Sequence, residues 1–447
     1  MDERPGTTLS RELLEREPYV RFAVTDIDGV CRGKHLSGER IASMLEETGG
    51  SIASALFGWD IQDRLYEQVS FTGFHTGFPD IGLRLDASTA RRLPWDEGRW
   101  LILGEHVKPD GTPLPICPRQ LLKKVLAKAA SMGFTAQIGV EFEWFLLAES
   151  EVSVRAKGYR GLQTATQGLT NYSPLRIDAQ HAFVRDLFTQ LNAIDVPLEA
   201  LHTEAGPGNF EAAIRYTEAL RAADRAVLFK QAVREIGRRH GLLSTFMAKY
   251  STAYAGCGQH LHQSLWRDGR NCFHDERGAH QMSDTLRHFM AGQLHALPQL
   301  LPLYAPFVNS YKRLVDRNLA PVRPNWAVDN RNASLRVIPG SAASMRLETR
   351  SAGADANPYL AIAAALASGL YGIEHRLALP PAGDMPSLPR LPSTLGEATA
   401  AMARSELARE LLGEEFVRHF VETRAWEVAR FDEAVTDWEL ERYLELA

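Results

Sequence analysis

The sequence is poor in cysteine and keeps what it has apart. Cys31, Cys117, Cys257 and Cys272 form no CxxC pair, which excludes a zinc cluster or a disulfide scaffold and reads as reduced, structural thiols in a cytoplasmic protein. No run approaches the roughly 18 apolar residues of a membrane span, and the opening MDERPGTTLSRELLEREP lacks the apolar core of a signal peptide. Positive charge is not in excess either. The 447 residues carry a net −5, so nothing global calls for nucleic acid or an anionic membrane surface. No GxxxxGK[ST] occurs, which excludes a P-loop enzyme. Repeats and low-complexity tracts are absent as well.

What remains is globular in composition, 45% hydrophobic and 23% charged, and long enough for two or three domains. YVRFAVTDIDGVCRGKHL (19–36) reads as two short strands around the turn-forming DIDG. GERIASMLEET has helical spacing, and RLPWDEGRWLILGEHV gives a further strand pair. These make a small α+β domain over residues 1–112, ending at the proline-rich turn KPDGTPLPICPRQ. The second domain, residues 113–447, starts a helix near Arg119. It alternates short strands with amphipathic helices over RQLLKKVLAKAASMG, SPLRIDAQHAFVRDLFTQLNAI and RAADRAVLFKQAVREIGRRHG. LPPAGDMPSLPRLPS reads as a surface loop before a charged helical C-terminus.

The chemistry concentrates in a few strands. In QIGVEFEWFLL, period-two alternation puts Ile138, Val140, Phe142 and Trp144 on one face and Glu141 and Glu143 on the other. Taken alone, a solvent-facing strand explains this as well as a cation between the carboxylates does. The pattern recurs, however. His260, His262 and Ser264 share a face in GQHLHQSLW, as do Arg346, Glu348 and Arg350 in SMRLETRS. Glu204 and Glu211 flank a tight turn in HTEAGPGNFEAAI. Oxygen ligands with one or two histidines suit Mg²⁺ or Mn²⁺ rather than zinc. Arginines beside them suit phosphate and carboxylate groups, and the combination fits ATP-dependent phosphoryl transfer.

Taken together, GVEFEWF, GPGNFE, GCGQHLHQSLW, NSYKRL, NRNASLRV and RLETRSAGADANPYLA resemble the glutamine synthetase family over nearly the whole chain. The resemblance implies an N-terminal β-grasp domain and a catalytic domain whose curved antiparallel sheet forms half of an active-site funnel. It also implies a homo-oligomer of six-membered rings, single or stacked, with sites between neighbouring subunits. By position, Glu143, Glu204 and Glu211 match the ligands of a substrate-side metal. Glu141, His260 and Glu348 match those of the metal bridging the ATP phosphates. His262, Ser264 and Tyr216 lie where the family meets nucleotide. Arg331, Arg336 and Arg346 match the arginines around the transferring phosphoryl group, and Arg313, Arg350 and Gly256 the glutamate site. The implied reaction phosphorylates the γ-carboxylate of glutamate with ATP, and an amine then displaces the phosphate.

Three departures bear on that amine. Ammonia-using members carry a glutamate in the flap after NSYKRL, and here that position is Leu319, which neither binds ammonium nor accepts a proton. Their acidic N-terminal loop corresponds to LFGWDIQDRLYEQ, where Asp60 or Asp63 stands in for the family aspartate and Trp59 adds an aromatic face. Ala255, before Gly256, replaces an asparagine. The expectation is a γ-glutamyl-amine ligase for a hydrophobic or aromatic monoamine, with Glu204, Arg331 and Asp60 as catalytic candidates. A polyamine ligase, a true glutamine synthetase and an inactive structural member are the alternatives. No tyrosine lies between Tyr371 and Tyr443, which excludes adenylylation of the loop there.

Overall fold

The computed structural model describes residues 9–46, 49–168, 171–316, 319–383 and 388–447. Parts of four expected features lie outside them: the N-terminal segment, the end of GERIASMLEET, Arg317 and Asn318 of the flap, and the middle of the proline-rich loop. The N-terminal sheet contains β1 (Val20–Thr25), β2 (Cys31–Leu36), β3 (Gly50–Ala53), β4 (Asp80–Leu85), β5 (Arg91–Leu93) and β6 (Arg99–Val107). Its order is β2-β1-β6-β4-β3, with β5 on β6. The hairpin β1–β2 is antiparallel, whereas β1 and β6 run parallel. That combination is the β-grasp arrangement, with helix Gly38–Glu46 packed on a core that includes Phe22, Ile41, Leu83 and Ile102.

The second sheet is curled into a half-barrel. It comprises β7 (Thr135–Leu147), β8 (Leu198–Thr203), β9 (Asn209–Glu218), β10 (Leu243–Thr245), β11 (Gln259–Arg267), β12 (Arg270–Asn271), β13 (Trp326–Val328), β14 (Leu335–Ile338) and β15 (Arg346–Thr349). The order is β13-β14-β15-β11-β7-β9-β8, with β10 on β7 and β12 on β11. Helices cover its convex side. Ala219–Arg239 presents Phe229 to Phe142 in a stack at 5.4 Å, and Pro358–Glu374 is apolar nearly all round because it runs through the core. Helix Pro118–Ser131 begins with proline at its first position, as KPDGTPLPICPRQ suggested. One expected helix is two: Pro174–Asp178 and His181–Ala193 are separated at Ala179 and Gln180, where the Gln180 amide donates to Ala165 O at 2.8 Å. No described helix is long and apolar enough to cross a membrane.

The DIDG turn ties the N-terminal sheet to helices of the second domain. Asp26 accepts from the backbone N–H of Asp28 (3.0 Å) and Val30 (2.9 Å) and from Arg32 Nε (2.9 Å). Asn357, the N-cap of helix Pro358–Glu374, donates to Asp26 O and Ile27 O. Gly29 sits at φ +81°, and a β-carbon there would come 3.1 Å from Asn357 Cα. Asp28 pairs with Arg424, both buried. Burial, and then the Asp28 charge, push the Asp26 carboxyl up to about 7 against the pull of Arg32. An acid whose pKa rises on folding disfavours the folded state once the unfolded chain ionises. Wild-type stability should therefore decline from about pH 4 to about pH 7 through this group. Asp26→Asn removes that component. In urea titrations across the interval, the variant's stability relative to wild type should climb with pH, and parallel curves would contradict it.

Candidate active site

Strand β7 sets the frame. Its apolar residues Ile138, Val140, Phe142 and Trp144 are buried, so Glu141 and Glu143 face the concave side. Register then adds their neighbours. His260 of β11 lies opposite Glu141, Glu211 of β9 opposite Glu143, and His202 of β8 opposite Glu211. Glu348 of β15 lies opposite His262, and Arg336 of β14 opposite Glu348. The β7–β9 register shifts between Ile138 and Val140, where β9 carries one residue more than β7 and bulges.

His260 stands between the carboxylates. Its Nδ1 is 3.5 Å from Glu141 and 3.7 Å from Glu348, and its Nε2 is 3.7 Å from Glu143. His262 Nε2 lies 3.0 Å from Glu141. Arg346 Nε donates to His262 Nδ1 at 3.2 Å, and His262 Nε2, though near Glu141, makes no hydrogen bond. Donor atoms of Glu141, His262 and Glu348 come within 4.8 Å of one another, as do those of His202, Glu204 and Glu211. The expected ligands thus converge, but with two differences. His262 is as close to the first group as His260 is, because both face the same side of β11, and His202 joins the second. His262 is thus the imidazole of the tight cluster, while His260, the expected ligand, lies 3.5 and 3.7 Å from the same two carboxylates. The donor set, carboxylates plus imidazole, fits Mg²⁺ or Mn²⁺.

The electrostatics of the two groups differ. Burial raises the Glu348 carboxyl, but His260, Arg350 and His262 outweigh it and hold it below the usual range. Arg336 lies 3.0 Å from Glu348, and Arg350 is ion-paired with it. Glu141 is likewise lowered, its burial outweighed by the two imidazoles. Glu143 is raised, first by burial and then by Glu211 and Glu204, against His260 and Arg313. Glu204 is raised by burial and Glu211. One group therefore carries its own counter-charges, and the other is an anionic crowd that a cation would relieve.

Gly258 is where the groups meet. A β-carbon there would come 2.7 Å from His260 Nε2, 2.8 Å from Arg313 Nη2 and 3.2 Å from Glu143 Oε1. Arg313 is buried and donates to Ser351 O (3.2 Å) and Arg350 O (3.1 Å). Gly256 lies against its stem, where a β-carbon would be 2.7 Å from Arg313 Cγ. Arg350 Nε donates to Arg331 O at 3.0 Å, while Arg331 itself is exposed. At the wide end, Tyr216, His262, Ser264 and Arg346 line a cavity of about 410 Å³ with Gly139 in its floor, a volume in the range of small-molecule sites. The three expected nucleotide contacts and Arg346 share this one cavity, whereas Arg331 and Arg336 are not among its lining residues.

Two N-terminal candidates, Asp60 and Trp59, are placed in a loop of their own. Asp60, 8% exposed, accepts from the backbone N–H of Gln62 (2.8 Å) and Arg64 (2.9 Å) and from Trp426 Nε1 at 3.4 Å, so it organises its own turn. Trp59 is half-buried, with Arg32 5.6 Å above its ring. Asp63 is the outward-facing acid of that loop, paired with Arg32 at 2.6 Å. Leu319 is 59% exposed at φ +53°. Sequence reasoning missed Gly258, His202 and Tyr172, whose ring lies 4.5 Å from His202. His202 did carry a signal: two residues before Glu204, it falls on the same side of the chain.

Paired carboxylate–imidazole groups, arginines and a nucleotide-facing cavity define an enzyme of metal-dependent ATP chemistry. Residues 115–443 match the family model of the glutamine synthetase catalytic domain. A "Type-1 glutamine synthetase 2" of Dictyostelium discoideum is 45% identical, over 98% of this chain and 86% of its own length. A glutamate–isopropylamine ligase of a Pseudomonas species is 36% identical, over 98% and 97%. A solved GmaS–ADP complex superimposes with a TM-score of 0.85 at 27% identity, over 98% of this chain and 100% of that one. The chain belongs to the glutamine synthetase family and is a carbon–nitrogen ligase.

Proposed function

We propose that the enzyme joins the γ-carboxylate of L-glutamate to a hydrophobic or aromatic monoamine through a γ-glutamyl phosphate. The observation that carries this reading is Leu319, an apolar residue where the ammonia-using family pattern has an acid. A leucine at φ +53° and 59% exposed is costly both conformationally and in solvation. Closure of the flap over an apolar amine would offset that cost. The Pseudomonas relative, named for isopropylamine, supports an organic amine.

In this reading Arg313 and Arg350 hold the α-carboxylate of glutamate, next to the backbone of Gly256. His262, Ser264 and Tyr216 hold the nucleotide, and Arg331, Arg336 and Arg346 neutralise charge on the transferring phosphoryl group. Glu143, Glu204 and Glu211 on one side and Glu141, His260 and Glu348 on the other would hold Mg²⁺ or Mn²⁺, which would neutralise charge on the phosphate and acyl phosphate. A γ-carboxylate oxygen attacks the terminal phosphorus and ADP leaves. The amine nitrogen then attacks the acyl carbon and phosphate departs with its bonding pair. Glu204, through an oxygen not engaged with metal, remains the candidate proton acceptor, whereas both oxygens of Asp60 are already committed. We also read residues 1–112 and 113–447 as the two domains of each subunit of a six-membered ring, single or stacked.

Phosphate release coupled to a panel of amines tests the proposal. Isopropylamine and benzylamine should exceed ethanolamine, putrescine and ammonia in kcat/KM. Ammonia as best substrate would return the protein to the glutamine synthetases proper, as the Dictyostelium relative's name would have it. Putrescine as best would favour a polyamine ligase.

A further inference from the structure

Behind Arg313 lies a pair of buried charges that the reaction does not use. Asp355, 9% exposed, accepts from Ser310 Oγ at 2.6 Å. Ser310 belongs to the 3₁₀ turn Val308–Lys312, and its carbonyl accepts from Arg313 N at 3.1 Å. Its Oγ also accepts from Phe307 N at 3.0 Å. Both ends of the turn that delivers Arg313 are therefore tied to one serine, and the serine is tied to Asp355. From the other side, Lys230 of helix Ala219–Arg239, 6% exposed, donates to Ala354 O (2.8 Å) and Ala356 O (3.3 Å). These are the carbonyls on either side of Asp355. The same segment begins with Ser351 O, which orients the Arg313 guanidinium.

Asp355 and Lys230 have no ion-pair partner within 4 Å among the described residues, and each is buried. Buried charges without a close ion-pair partner cost stability rather than add to it. Their arrangement does fix one thing, the seat of Arg313. The close fit over Gly353, where a β-carbon would come 2.3 Å from Asp355 Oδ1, leaves the carboxylate little freedom to move.

We propose that Asp355 is a positioning residue for glutamate recognition, holding Ser310 and, with Lys230, the 351–356 segment so that Arg313 meets the α-carboxylate. This rests on the reading of Arg313 as the glutamate clamp. A misplacement of the clamp weakens glutamate binding without touching the nucleotide cavity, which other strands build.

The test is steady-state kinetics on the full-length enzyme with isopropylamine or the best amine of the panel. Asp355→Ala should raise KM for glutamate about tenfold and leave KM for ATP within about twofold. Ser310→Ala should move KM for glutamate in the same direction. Asp355→Asn keeps an acceptor for the Ser310 hydroxyl and should restore most of the loss. Should Asp355→Ala not fold, Ser310→Ala and Asp355→Asn carry the comparison. An unchanged KM for glutamate in these variants overturns the inference, as does an equal rise for ATP with no recovery in Asp355→Asn. A wild type that makes no γ-glutamyl product with any amine overturns the functional reading instead, and is seen before any variant is compared.

Discussion

Glu348→Gln is expected to lower kcat by roughly 10²–10³-fold and to destabilise the protein, whereas Glu143→Gln should lose activity to a similar degree and raise the melting temperature of the metal-free protein. Both residues belong to the proposed cation sites, so both losses of activity have the same origin. Their stability effects differ because their surroundings differ. Glu348 is 1% exposed, lies 3.0 Å from Arg336 and is paired with Arg350. Taking its charge away leaves two guanidinium groups facing each other with one carboxylate fewer. Removing one partner from a buried pair costs about 3–5 kcal/mol, with the lower end more apt here because Asp329 also accepts from Arg336 at 3.1 Å. Glu143 sits instead among Glu204 and Glu211, buried, and with its carboxyl raised. An amide there removes like-charge repulsion and keeps the shape.

Thermal melts with and without Mg²⁺ or Mn²⁺, beside steady-state rates at saturating metal, check the contrast. Wild type should gain melting temperature on adding metal, because a ligand that binds only the folded state stabilises it. Glu143→Gln should gain less than wild type, starting from a higher metal-free value. Equal melting shifts for the two variants in the absence of metal would sink the electrostatic distinction between the groups.

The difference between these two glutamates could not be read from the chain, although both positions could. Glu141 and Glu143 announced themselves through alternation, because β7 is apolar on one face only and period two is a local property. His260, His262 and Glu348 followed for the same reason. What each carboxylate meets depends on register across β14, β15, β11, β7, β9 and β8, brought together from segments as far apart in the chain as Thr135–Leu147 and Arg346–Thr349. Gly258 shows the limit plainly. Its lack of a side chain lets a histidine, an arginine and a glutamate from three segments converge, and nothing beside it in the sequence says so. Lys230 and Asp355 were invisible for the same reason, each embedded in a stretch that reads as ordinary helix or loop. The helix break at Ala179 and Gln180 escaped because neither residue is a breaker; a tertiary hydrogen bond from Gln180 accompanies the break. Asp60 was legible as an acid in the right loop, but its hydrogen bonds to its own turn were not.

Leu319→Glu should shift the enzyme toward ammonia, lowering kcat/KM for a hydrophobic monoamine by roughly 10–100-fold and raising that for ammonia. The argument begins with conformation. Leu319 holds φ +53°, where glycine or asparagine would sit with less strain, so backbone preference does not explain the leucine. Exposure of 59% does not explain it either, since an exposed loop position has no solvation reason to be apolar. The side chain gains only if something covers it, and in the proposed reaction that is the tail of the amine under a closed flap. A glutamate introduced here would bring an uncompensated charge against the tail, and would offer ammonium both a counter-charge and a proton acceptor. Leu319→Ala separates the two effects. It should weaken the hydrophobic amine by about tenfold through lost apolar contact and gain nothing on ammonia. Leu319→Asn, which suits the left-handed backbone, should melt no lower than wild type, so that a loss of monoamine turnover in it reads on the side chain and not on the fold. If all three variants keep the wild-type order of amines, Leu319 does not line the amine site, and selectivity must reside in the loop around Trp59 and Asp63.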